Sequence, residues 1–77
     1  MSNKSEQLAF AQSYGATHEP HDNWWYTYYL NGLTIWPSSR EFGKWRTARL
    51  NEEDRYVGHQ THPNLETALK FAQGVSA

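Results

Sequence analysis

Trp24-Trp25-Tyr26-Thr27-Tyr28-Tyr29-Leu30, then Asn31-Gly32, then Leu33-Thr34-Ile35-Trp36: the reading of this stretch decides the fold. Two runs rich in aromatic and β-branched residues flank a short Asn-Gly loop, the strongest local signature of a β-hairpin. Asn and Gly both tolerate the positive φ that a type I′ turn demands. Such a loop sets Leu30 opposite Leu33, and the pairing then runs Tyr29–Thr34, Tyr28–Ile35 and Thr27–Trp36. Side chains alternate along a strand. One face therefore carries Trp24, Tyr26, Tyr28, Leu30, Leu33 and Ile35, and the other Trp25, Thr27, Tyr29, Thr34 and Trp36. Only the first has Leu and Ile, so it is assigned to the core, and the ring-rich second face is expected to meet solvent or a ligand.

Upstream of the hairpin, residues 2–14 read as a helix, with Ser5 as its cap and Leu8, Ala9, Phe10, Ala11 and Tyr14 as its apolar residues. Phe10 and Tyr14 form an i,i+4 pair, and Gly15 is the expected stop. A helix of this kind packs on its own domain's core or serves as an arm for a partner. Residues 16–23 read as a polar loop. Downstream, residues 37–43 form a second connection, with Pro37 ending the strand. Residues 44–50 read as a third strand, Asn51-Glu52-Glu53-Asp54 as an acidic turn, and residues 55–59 as a short fourth strand. The best helix is the last: Leu65, Ala68, Leu69 and Ala72 make one continuous stripe. Asn64 is its expected cap, or Pro63 its first residue, and Gly74 closes it.

The parity of the third strand has two solutions. If Ala48 and Leu50 point to the core, Trp45, Thr47 and Arg49 join the ring face and Arg46 escapes at the edge through a bend at Gly43. That arrangement is the expected one. A bulge that flips the register would send Trp45 inside instead.

At 77 residues the chain is one domain, residues 1–77, with 1–4 and 75–77 expected to fray. A chain so short buries little over about 60% of its unfolded surface, and an aromatic content of 16% offsets this. The mean hydropathy of −0.90 and the lack of a long apolar run argue against a membrane span. Met1-Ser2-Asn3-Lys4-Ser5-Glu6 lacks the apolar stretch of a signal peptide, so the cytoplasm is the expected location. With no cysteine there is neither a disulfide framework nor a thiolate metal site. The net charge of −1 argues against bulk nucleic-acid binding, which rests on neutralising phosphates. Even so, Arg40, Lys44, Arg46 and Arg49 crowd a window whose only acid is Glu41, so a local basic stripe is open to the fold.

Little in the sequence suggests catalysis. There is no phosphate-binding glycine loop and no nucleophile elbow. Glu52-Glu53-Asp54 is better read as a solvated turn than as a catalytic carboxylate pair. Two H-x-x-H pairs, His18/His21 and His59/His62, would lie at the same end of an up-down sheet. Imidazoles suit zinc, copper or nickel, but without thiolates solvated loop histidines are expected, and no metal or other cofactor is assigned.

Gly43-Lys44-Trp45-Arg46-Thr47-Ala48-Arg49-Leu50, then Tyr56-Val57-Gly58, then Leu65-Glu66-Thr67-Ala68-Leu69-Lys70-Phe71-Ala72 resembles the three-stranded-sheet-plus-helix DNA-binding domains. These are the plant ethylene-response-factor type and the arm-binding domains of phage-type tyrosine recombinases. The resemblance spans residues 43–72. It implies a sheet with one covering helix, and base reading by Arg and Trp on the exposed face, which would fall on Trp45 and Arg49. The first strand differs: where those families are rich in Arg and Gly, this chain has Trp-Trp-Tyr-Thr-Tyr-Tyr.

Together these features predict an α+β domain: an N-terminal helix, an antiparallel meander of three to four strands, and a C-terminal helix on one sheet face. The expected function is a non-enzymatic binding module, a regulator or inhibitor that docks on a protein partner. Trp25, Tyr29, Trp36, Trp45, Arg46 and Arg49 form its contact set, as Trp, Tyr and Arg are enriched in interface hot spots. The alternatives are a nucleic-acid-binding domain using the same face and a homo-oligomer that buries it. A third possibility removes the site altogether, with the first helix crossing the ring face.

Overall fold

The computed structural model describes residues 4–19 and 27–75, so the expectations for His21, Trp24, Trp25 and Tyr26 fall outside the described residues. The elements are α1 (Lys4–Gln12), β1 (Thr17–Glu19), β2 (Thr27–Leu30), β3 (Leu33–Pro37), β4 (Trp45–Leu50), β5 (Tyr56–His62) and α2 (Leu65–Gln73). The strands form one antiparallel sheet in chain order, β1-β2-β3-β4-β5. The class is α+β, as the sequence predicts, but the sheet has five strands and not three or four. The extra strand is β1, inside the expected loop. Its three residues are too few to display a period-two pattern, and pairing with β2 is what extends them.

The hairpin forms in the expected register, with Leu30↔Leu33, Tyr29↔Thr34 and Tyr28↔Ile35. Asn31 and Gly32 take φ of 51° and 81°, both positive as a type I′ turn requires. Asn31 has a second role. Its Nδ2 donates to the carbonyl oxygens of Ala72 at 3.0 Å, Gln73 at 3.3 Å and Val75 at 3.4 Å. Gly74 ends α2 in a right-handed conformation, φ −82°, without the left-handed cap glycine often supplies. The hairpin turn therefore satisfies the carbonyls at the end of α2 from across the molecule.

At its other end, α2 is capped by Asn64, whose Oδ1 accepts from the Thr67 N–H at 2.8 Å and the Thr67 hydroxyl at 2.9 Å. Ala68, Leu69 and Ala72 are fully buried. α1 starts at Lys4, which places Ser5 within its first turn and not at the cap. It ends as expected at Gly15, with the Gly15 N–H donating to Gln12 O at 2.9 Å and the Ala16 N–H to Ala11 O at 3.3 Å. Phe10 and Tyr14 meet edge to face at 5.3 Å.

Both helices lie on one side of the sheet. Ala11 of α1 and Ala68, Leu69 and Ala72 of α2 share a core with Tyr28, Leu33, Ile35 and Trp45. The Tyr28 hydroxyl donates to Gln7 Oε1 at 2.9 Å and ties α1 to β2. α1 therefore belongs to its own core and does not cross the ring face.

Trp45 corrects the sequence expectation. β3 and β4 pair without a bulge, with Pro37↔Trp45, Ile35↔Thr47 and Leu33↔Arg49. Cross-strand partners share a face, so Trp45, Thr47 and Arg49 take the helix side and Arg46, Ala48 and Leu50 the open side. Trp45 is only 7% exposed, its ring 6.0 Å from that of Tyr28. Ala48 is fully buried even on the open side, so the exchange is between Trp45 and Leu50, and the larger indole gains more from leaving water. The irregularity lies one strand later: between the pairs Thr47↔Gln60 and Arg49↔Val57, β5 has one residue more than β4, and Gly58 there takes φ 69°.

Candidate functional site

The face opposite the helices brings together residues from all five strands. Glu19 pairs with Thr27, and Trp36 with Arg46, which pairs in turn with Thr61. The hairpin register, carried on by one residue, sets Thr27 beside Trp36. These residues form one row across the sheet. In the next row lie Tyr29, Thr34 and Ala48, and in the row beyond it Leu50 opposite Tyr56.

Trp36 is the centre of a ring cluster, with the Tyr56 ring 5.6 Å away and the His59 ring 6.0 Å away, edge-on. β3 and β5 are not neighbours, and rings from them meet because the strand between contributes only the methyl group of Ala48 at that level. Ala48 is fully buried although it points to the open side. The bulge at Gly58 changes the parity of β5, which puts Tyr56 and His59 on this face and His62 on the other. Thr27, Thr34, Trp36 and Tyr56 line a groove of about 250 Å³.

Polar contacts flank the rings. On the β1 side the Tyr29 hydroxyl donates to Glu19 Oε2 at 2.6 Å. That bond to a carboxylate, with burial adding to it, pushes the Tyr29 phenol up to about 12. On the β5 side Arg46 lies 3.3 Å from His59 Nδ1. Neither charge is balanced by an opposite one: among the described residues, the ion pairs are Lys44 with Glu41 and Lys70 with Glu66.

Of the expected contact set, Tyr29, Trp36 and Arg46 lie on this face. Trp45 is in the core, Arg49 is an exposed residue on the helix side, and Trp25 lies outside the described residues. Tyr56 and His59 were not anticipated, because their sides depend on a bulge with no sequence signature beyond Gly58, and Leu50 was expected in the core until the β3–β4 register turned it outward. The expected basic stripe is dispersed. Arg40 and Lys44 sit in the β3–β4 loop, where Lys44 pairs with Glu41 at 3.4 Å, and Arg49 is on the far side.

The described histidines do not converge. His18 lies on β1 and His59 and His62 on β5, at opposite edges of the sheet. His62 is buried beneath α2, its Nε2 2.9 Å from the Thr47 hydroxyl and its ring 5.0 Å from that of Phe71. Burial lowers its pKa, because desolvation penalises the imidazolium. Among the described residues no three His, Asp or Glu side chains are gathered to hold a metal ion, and no helix is long and apolar enough to cross a membrane.

A second concavity of about 300 Å³ lies between the helices over Trp45. Its polar groups already have partners: Gln7 accepts from Tyr28, Asn64 caps α2, and Glu66 pairs with Lys70 at 3.8 Å. The open face is thus the better candidate: a small α+β domain presenting a ring-lined sheet surface with an acidic and a basic flank. Comparison of the chain with known protein families, curated proteins and solved structures finds no match.

Proposed function

We propose that this protein is a non-enzymatic binding module that works by docking the open sheet face on a protein partner, in the manner of a small regulator or inhibitor. The observation that carries this reading is the Trp36–Tyr56–His59 cluster on a face that neither helix covers. Rings scattered singly on a surface need no explanation, but a contiguous cluster does. Trp, Tyr and Arg are enriched in interface hot spots, and the two aromatic types cover a large area with only about two torsions to freeze. A rigid sheet also holds them in place before the partner arrives, which reduces the entropic cost of binding.

Nucleic-acid docking on the same face draws less support. Stacking rings are present, but Arg46 is the only Lys or Arg that the strand registers put on this face, and phosphate binding depends on several cations acting together.

The test is affinity capture with a tagged chain and its Trp36→Ala and Tyr56→Ala variants, followed by quantitative mass spectrometry. A protein retained by the parent should be lost from both variants while their far-UV circular dichroism is unchanged. Retention should persist as salt is raised, whereas a nucleic acid would be released. Equal retention by parent and folded variants would refute the proposal.

A further inference from the structure

We infer that the partner this face fits is a second copy of the same chain. The inference rests on the docking role proposed above and names its occupant. The face is self-complementary. Glu19 stands at the β1 edge with its charge unbalanced, and Arg46 stands on β4, across the central strand. Trp36, on β3, lies between them in the same row. A two-fold axis along β3, between two facing sheets, sets the β1 side of one copy over the β5 side of the other. Glu19 of one copy then falls about one strand spacing, ~4.8 Å, to the side of Arg46 of the other, within an arginine's reach. The same pair forms a second time by symmetry. The ring of Trp36, on β3, meets its own copy near the axis, with Tyr56 packed beside it on the β5 side, and the sheets stack in the aligned mode common in β-sandwiches. A two-fold axis across the strands would instead oppose like charges. With a net charge of −1, little long-range repulsion keeps two copies apart.

The size of the face sets the strength. Five strands span about 19 Å and their residues about 15–20 Å along the chain, so each copy offers a flat footprint of roughly 300–400 Å². That is below the ~800 Å² per partner typical of stable complexes, so the association is weak and is to be sought from tens of micromolar to about 1 mM.

Sedimentation equilibrium over that range tests the inference. The mass of the parent chain should rise from 9.0 kDa toward twice that value. Glu19→Arg and Arg46→Glu should each weaken self-association by about tenfold or more, because both symmetric contacts then oppose like charges. Mixing the two variants in equal amounts should restore it, since each mixed contact is again of opposite sign. A dilution series of the parent by NMR, which needs no variant, should shift Tyr29, Trp36, Arg46 and Tyr56 and leave α1 and α2 unmoved. A mass of 9.0 kDa up to about 1 mM would overturn the inference. So would self-association insensitive to either charge reversal, a mixture that fails to recover, or shifts confined to the helices. A monomer that still captures another protein through Trp36 would remove the second copy and leave the docking role standing.

Discussion

His62 illustrates how one position in a short chain can set a pH response. It is buried on the helix side, against Phe71 and bonded to Thr47, with a pKa depressed by desolvation. The sign follows directly. Between the lowered folded value and the ordinary 6.5, the unfolded chain binds a proton at this site that the folded chain refuses, so stability falls as pH drops through that window. Above 6.5 the contribution is complete. The melting temperature of the parent chain should therefore decline on acidification from neutrality, and His62→Gln should flatten that decline. An equal slope in both chains would mean that His62 is not the group responsible. Trp45 and Trp36 make the companion contrast: they occupy neighbouring strands at offset rows, yet one indole holds the core together and the other faces outward with Tyr56.

At the level of elements, the hairpin and α2 are joined through Asn31. Its backbone forms the turn and its side chain caps the helix end. The two roles can be separated. Asn31→Gly keeps a residue that accepts positive φ and removes the amide donor, so it should cost about 1 kcal/mol, or roughly 4–8 °C in melting temperature. Asn31→Asp also suits the turn, but it aims a carboxylate at carbonyl oxygens and at the negative end of the helix, so it should cost more. Urea denaturation of the three chains checks the order; an Asp variant as stable as the parent would mean the turn is the residue's sole contribution. The third strand teaches a related lesson. Its alternation permits two parities, and the choice falls to Trp45 only once the helices provide a core for its indole.

For the whole molecule, the sheet order predicts a gradient of protection. β3 and β4 are hydrogen-bonded on both sides and lie under the helices, while β1 is a three-residue edge. Amide exchange should be slowest in β3 and β4 and fastest in β1, because edge pairs open without disturbing the core. Uniform exchange across the sheet would indicate that only global unfolding exposes these amides. The same layering separates the two surfaces. Two helices on one side complete the core of a small domain, and neither covers the opposite face of the five-stranded sheet.

What the sequence by itself determined is local. Asn31-Gly32 set the turn and the hairpin register, Gly15 ended α1, Asn64 and the apolar stripe placed α2, and alternation put Tyr29 and Trp36 opposite Tyr28 and Ile35. Each of these signals acts within a few residues, where sterics and hydrogen bonding leave few choices. Only the tertiary structure decided the rest: the burial of Trp45, the extension of β1, the arrival of Tyr56 and His59 beside Trp36, and the use of Asn31 as a cap for a helix 41 residues away. Those outcomes depend on which registers bury the most apolar surface once all strands and both helices compete for the same core, and that competition has no period that a single stretch of chain can display.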